Sequence, residues 1–206
     1  AVIPFTEGNG DYTVVGYQQI QGDQYAALYS EILTVELEND FFPFLYPNQY
    51  VNFSPDSEAS KLALSMVSED TTDVDALKQI YNYVVNNLTY DYDKAETVET
   101  GYLPDVDETL STKTGICFDY AALTTAMLRS CDIPCKLQIG YTGDIKHAWI
   151  DVYIRSKGWV TGAVSFNGDS WSLMDPTFDS SADSDDTEAI QDYIGNADNY
   201  TVQFTR

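Results

Sequence analysis

Thr114-Gly-Ile-Cys-Phe-Asp-Tyr-Ala-Ala-Leu-Thr-Thr-Ala-Met-Leu-Arg-Ser-Cys-Asp-Ile-Pro134 is the stretch from which the rest of the chain is read. Its apolar positions Ile116, Tyr120, Leu123 and Met127 recur at three- and four-residue steps, the period of one helix face. A helix is therefore expected from about Gly115 to Ser130. Pro134 stops it, because proline disfavours helical backbone in the residue before it. Ala121, Ala122 and Ala126 carry little bulk, so neighbouring elements can approach closely. Cys117 falls at the helix N-terminus, where unpaired amide N–H groups and the positive end of the dipole favour an anionic sulfur. Thiols in such places have pKa values of about 3.5–7.5 when a cationic imidazole is also near. The competing reading of Cys117 is a small hydrophobe buried for packing.

Downstream, the pattern changes to strand. Lys136–Tyr141, Ile145–Ile154, Trp159–Phe166 and Ser170–Met174 are β-like runs separated by Thr142-Gly143, Lys157-Gly158 and Asn167-Gly168. Alternation places Ala148, Ile150, Val152 and Ile154 toward the core and His147, Trp149, Asp151 and Tyr153 on the opposite face. His147 is the only histidine in the chain, so any imidazole chemistry must use it. Trp149 stands where it can wall the imidazole from water, although an ordinary exposed histidine fits the same pattern. Asp175 follows the last run, and hairpin pairing would bring it beside the start of the histidine strand. A carboxylate there can accept the imidazole N–H and fix its tautomer, as in nucleophile–base–orienter triads.

Upstream, Pro55-Asp56-Ser57-Glu58 begins a helix reaching about Val67. Thr72-Asp73 begins a stronger one, with Val74, Leu77, Ile80, Tyr81, Val84 and Leu88 on one face. Tyr90-Asp91-Tyr92 leads from it into a polar loop that runs to Asp107. Nearer the start, Tyr25, Leu28, Tyr29, Ile32 and Leu33 fit helical spacing behind an Asp23 cap. Phe41 to Phe53 reads as irregular chain. Helices followed by an antiparallel sheet give an α+β domain. The expected division is an N-terminal extension over residues 1–55 and a catalytic domain over residues 56–206.

The chain has 206 residues, with 33 Asp and Glu against 10 Lys and Arg, a net charge of −23. Such a surface repels phosphate backbones, which excludes nucleic acid as a partner, and it disfavours anionic lipid. No apolar run approaches the roughly 20 residues needed to span a bilayer, so membrane insertion is not expected. The visible start, Ala1-Val2-Ile3-Pro4, shows neither initiator Met nor signal peptide. A secreted or cell-surface location is the expectation. Three cysteines without a CxxC pair, and one histidine, do not make a structural zinc site. The acidic run Asp179–Glu188 lacks the alternating calcium-loop pattern, so no metal or other cofactor is expected.

Four segments in order, Thr114–Ala121, Leu128-Arg-Ser-Cys-Asp-Ile-Pro134, His147-Ala-Trp149 and Trp171-Ser-Leu-Met-Asp-Pro-Thr177, resemble the successive motifs of the transglutaminase-like superfamily. That group is similar in core architecture to the papain-like cysteine proteases. The resemblance extends from about Asn87 to Asp179, suits bacterial members and leaves residues 1–55 uncovered. The intervals of 30 residues from Cys117 to His147 and 28 from His147 to Asp175 match as well (147 − 117 and 175 − 147). Where many members read Gly-Ile-Pro-Ala after the helix, this chain has Asp132-Ile-Pro-Cys135.

Carried over by position, the resemblance implies Cys117 as nucleophile, His147 as base and Asp175 as the third triad member. The Cys117 N–H is then the first oxyanion donor and Tyr92 or Tyr90 the second, with Trp149 on the substrate side. Cys131 and Cys135 are expected to pack rather than react. Asp119 and Arg129 are expected to hold helix and loops. The implied activity is acyl transfer from an amide of a protein or peptide substrate through a thioester. The alternatives are a cysteine peptidase or amidase that uses water, and a non-catalytic binding module on the same fold.

Overall fold

The computed structural model describes residues 2–160, 164–166, 171–173 and 200–206, and the structural statements below concern those residues. Helices α1 (Glu58–Met66) and α2 (Asp73–Asn87) form where the sequence places them. The Thr72 hydroxyl accepts the Asp75 N–H at 3.1 Å, which satisfies one of the amides left unpaired at the start of α2. Ala76, Leu77, Ile80, Tyr81 and Val84 make its buried face. Helix α5 (Cys117–Ser130) is buried without interruption from Asp119 to Arg129. The expected stripe is thus only one side of a helix that is enclosed all round, as its alanines permit.

A four-stranded antiparallel sheet packs on this helix in the order β10 (Tyr200–Thr205), β5 (Cys135–Thr142), β6 (Ile145–Ile154), β7 (Gly158–Val160). Cys135, Leu137, Ala148, Ile150, Val152 and Ile154 join α5, α1 and α2 in one core. The architecture is α+β. The run read as a single strand from Trp159 to Phe166 is divided: β7 pairs with β6, whereas β8 (Val164–Phe166) pairs with β9 (Trp171–Leu173). Strand β10 had no counterpart in the sequence reading. The short helix expected before Gly195 lies outside the described residues.

The sheet's second face is covered too. Phe41 lies against Tyr153 with ring centres 4.5 Å apart, and Phe44 meets Trp159 edge-on at 5.3 Å. Lys136 sets its ammonium 4.0 Å from the centre of the Trp159 ring. Val51, from the same N-terminal segment, is fully buried in the main core. Arg129 staples these parts together. Its guanidinium donates to the carbonyls of Tyr46, Cys135 and Arg206, at 2.8–3.0 Å. Burial lowers its pKa to about 10, still charged at neutral pH.

Two expectations are corrected. Residues 10–35 form a β-hairpin, β1 (Gly10–Gln21) with β2 (Gln24–Val35), rather than a helix behind Asp23. Apolar residues at 25, 28, 29, 32 and 33 satisfy helical spacing, but β-branched and aromatic residues opposite one another favour strand pairing. Tyr12 faces Leu33 and Gly16 faces Tyr29; a Cβ on Gly16 would lie 2.2 Å from the Tyr29 ring. Gly22, at φ +53°, makes the tight turn. The stretch before Asp107 is also not all loop. It contains α3 (Tyr92–Thr97), and α4 (Val106–Thr112) begins at its end; their caps Asp91 and Asp105 accept the N–H groups of Lys94 and of Asp107 and Glu108.

Candidate functional site

The approach to Cys117 is fixed on both sides. Strands β3 (Thr89–Tyr90) and β4 (Thr114–Gly115) pair in parallel, with the Thr89 and Asp91 N–H groups donating to Lys113 and Gly115 carbonyls at 2.9 Å. Lys113 takes the left-handed conformation at φ 56°, which turns the chain from α4 into β4. Ile116 caps α5 and Cys117 is its first helical residue, half-buried and packed on the core.

Asp119, at the third helical position, is completely buried. Its Oδ2 accepts the Ile116 N–H and the Lys94 ammonium, both at 2.8 Å, and its Oδ1 accepts the Tyr102 hydroxyl. Burial and the bond to Asp119 push the Tyr102 phenol up to about 12, so it remains a donor throughout the neutral range. Lys94 and Tyr102 were not anticipated; they lie 25 and 17 residues from Asp119 in the chain.

His147 lies on β6 opposite Gly140, and only 6% of its surface is exposed. Its ring stacks on Trp149, centres 6.3 Å apart and planes 16° from parallel. The indole fills the space above Gly140: a Cβ there would come within 3.0 Å of the Trp149 ring and 1.9 Å of the Thr201 carbonyl. The exposed-histidine alternative is thereby excluded. On the same face Asp151 accepts the Gln138 amide at 2.6 Å, and Gln138 accepts the Thr205 hydroxyl at 2.8 Å. Gln138 was not anticipated, although strand alternation puts it on this face.

Tyr90 and Tyr92 reach the corner before Cys117 through the β3–β4 pairing, their rings 4.9 Å apart. Tyr92 is 62% exposed at the start of α3. Asp175 lies outside the described residues. All three cysteines are free thiols, and burial raises Cys131 to about 11 and Cys135 to about 12. Among the described residues no helix is long and apolar enough to cross a membrane.

The family model of the transglutaminase-like superfamily matches residues 60–162, half of the chain. The chain belongs to the transglutaminase-like superfamily. Members are typically cysteine enzymes. This transglutaminase-like chain is 24% identical over 183 residues to the uncharacterised protein YebA of Bacillus subtilis, covering 78% of itself and 25% of that protein. It is 40% identical over 62 residues to a UPF0252 protein of Methanocaldococcus jannaschii, covering 28% of itself and 18% of the relative. The chain therefore spans a quarter or less of the length of these curated relatives.

Among solved structures, a candidate cysteine protease of Cytophaga hutchinsonii superposes with TM-score 0.53 at 17% identity, over 95% of this chain and 69% of that one. The periplasmic domain of TgpA from Pseudomonas aeruginosa superposes with TM-score 0.50 at 18% identity, over 75% and 50%. At these identities the likeness is one of fold. In this transglutaminase-like domain, the helix that begins at Cys117 packs on the sheet that carries His147.

Proposed function

We propose that this chain is a cysteine-dependent acyl-transfer enzyme that forms a thioester on Cys117 from an amide of a protein or peptide. The observation that carries the reading is Cys117 as the first residue of α5 within a transglutaminase-like domain. Helix-terminal N–H groups favour thiolate there and supply one donor to an oxyanion. In this reading the Cys117 sulfur attacks the amide carbon and a tetrahedral intermediate forms. His147 gives its proton to the departing amine and then takes one from the incoming acceptor. Asp175 accepts the other imidazole N–H, holding the tautomer and stabilising the cation. The burial of His147 beside Trp149 supports the assignment, since a shielded imidazole holds a defined orientation.

With an amine as acceptor the product is a new amide; with water it is an acid. The second outcome, peptidase or amidase, is favoured by the protease description of the Cytophaga hutchinsonii neighbour. A secreted or cell-surface setting is proposed with either outcome. Incubating the protein with a glutamine-containing peptide pool and a primary amine, followed by mass spectrometry, separates the cases. Amine adducts support transfer, and glutamate formation or chain cleavage supports hydrolysis. A pool left unchanged under conditions where Cys117 alkylates would overturn the enzymatic reading in favour of a binding module.

A further inference from the structure

We propose that Lys94 is a positioning residue for the nucleophile: it neutralises Asp119 and so keeps the N-terminus of α5 electropositive where Cys117 sits. The inference rests on Cys117 as the reacting thiol. Three segments converge on one carboxylate. Lys94 comes from α3, Tyr102 from the loop before α4, and the Ile116 N–H from the cap of α5. Lys94 also reaches the Tyr102 hydroxyl at 2.7 Å and lies 4.4 Å from its ring centre.

A helix cap alone does not require this arrangement. An exposed Asp, Ser or Thr at the cap satisfies an N–H without burying a charge. Here the carboxylate is entirely removed from water, two residues beyond Cys117, where an unopposed negative charge works against an anionic sulfur. The cation is what reverses that penalty. Burial pulls Lys94 down, but its bonds to Asp119 and Tyr102 outweigh burial and hold its pKa above the ordinary lysine value. The other ionisable groups at this corner are Asp91, whose carboxylate accepts the Lys94 backbone N–H at 2.9 Å, and the phenols of Tyr90 and Tyr92, which reach it through the β3–β4 pairing. Lys94 therefore acts on Cys117 through Asp119, without touching substrate.

The test is the rate of iodoacetamide alkylation at Cys117, mapped by peptide, between pH 5 and pH 10. With K94M, the profile midpoint moves to higher pH by on the order of one unit, a loss of rate that approaches about tenfold at pH values well below the wild-type midpoint. K94R keeps the wild-type profile. The double variant K94M/D119N, which removes both charges, returns toward wild type. A K94M profile that superposes on wild type overturns the proposal. A double variant as displaced as K94M overturns it too, because lost packing rather than charge is then the cause. Where K94M does not fold by circular dichroism, D119N alone decides: an unopposed Lys94 moves the midpoint to lower pH, and an unmoved midpoint overturns the proposal. Alkylation needs no turnover, so a wild-type protein inert toward every amide would end the enzymatic reading and leave this result intact.

Discussion

Gly115 stands directly against Asp119: a Cβ on it would lie 2.6 Å from the Asp119 Cβ and 3.0 Å from Oδ2. Asp119 has no room to retreat, because its carboxylate is held by Ile116, Lys94 and Tyr102. Gly115→Ala therefore shifts either the β4 backbone or the start of α5. Overpacking of this kind costs about 1–3 kcal/mol. The urea midpoint is expected to fall, and turnover per folded molecule to fall further, since Cys117 moves with the helix end. Wild-type turnover in the folded variant would show that this contact does not set the position of the proposed nucleophile.

Thiol reactivity distinguishes the three cysteines. Burial holds Cys131 and Cys135 protonated far above neutrality, at about 11 and 12. At pH 7 Cys117 is expected to alkylate well ahead of both in the folded protein, and His147→Ala to slow it. Peptide mapping after short exposure reads each site separately. Equal labelling of all three thiols would rule out an activated Cys117.

The same burial makes stability fall in alkali. Unfolded, Cys135 loses its proton near its ordinary value of 9.0; folded, it keeps it until about 12. Above pH 9 the unfolded chain therefore binds fewer protons, and stability declines as pH rises. By pH 10 the loss from this one thiol is on the order of 1 kcal/mol. Cys135→Val removes its own share of that slope, leaving the like share of Cys131, which burial raises to about 11, and its turnover per folded molecule is expected to match wild type. Denaturant titrations at pH 8 and pH 10 supply the comparison; an unchanged slope in the variant would assign the alkaline loss elsewhere. Arg129, lowered to about 10, acts with the opposite sign only from there upward, so the window closes at pH 10.

Asp175→Ala is expected to leave the fold largely intact and to lower turnover strongly, as loss of the orienting carboxylate costs about 10⁴-fold in the serine-protease template. Steady-state kinetics on the substrate found by mass spectrometry measure it. A kcat near wild type would remove Asp175 from the proposed triad.

Local chemistry was sufficient for α2 and α5. A Thr72 cap and a four-turn apolar face lie within one segment, and the alanines of α5 announce close packing without reference to any partner. Strand β6 was legible for the same reason, since alternation is a property of consecutive residues. The motifs around Cys117 and His147 lie in α5 and β6, which is why both residues stood out as candidates from the sequence.

What the sequence by itself determined is therefore the helix-then-sheet order from α1 onward, the α+β class and the candidate reacting residues, all encoded over short spans. The tertiary structure alone decided the rest. Residues 24–35 satisfied a helical period and became a strand, because Gly10–Gln21 lay opposite to pair with them. His147, Trp149 and Asp151 faced away from α5 and were buried nonetheless. Lys94, Tyr102 and Asp119 met across 25 residues of chain. Their meeting depends on where folding brings distant segments together, and no local pattern of residue types carries that information.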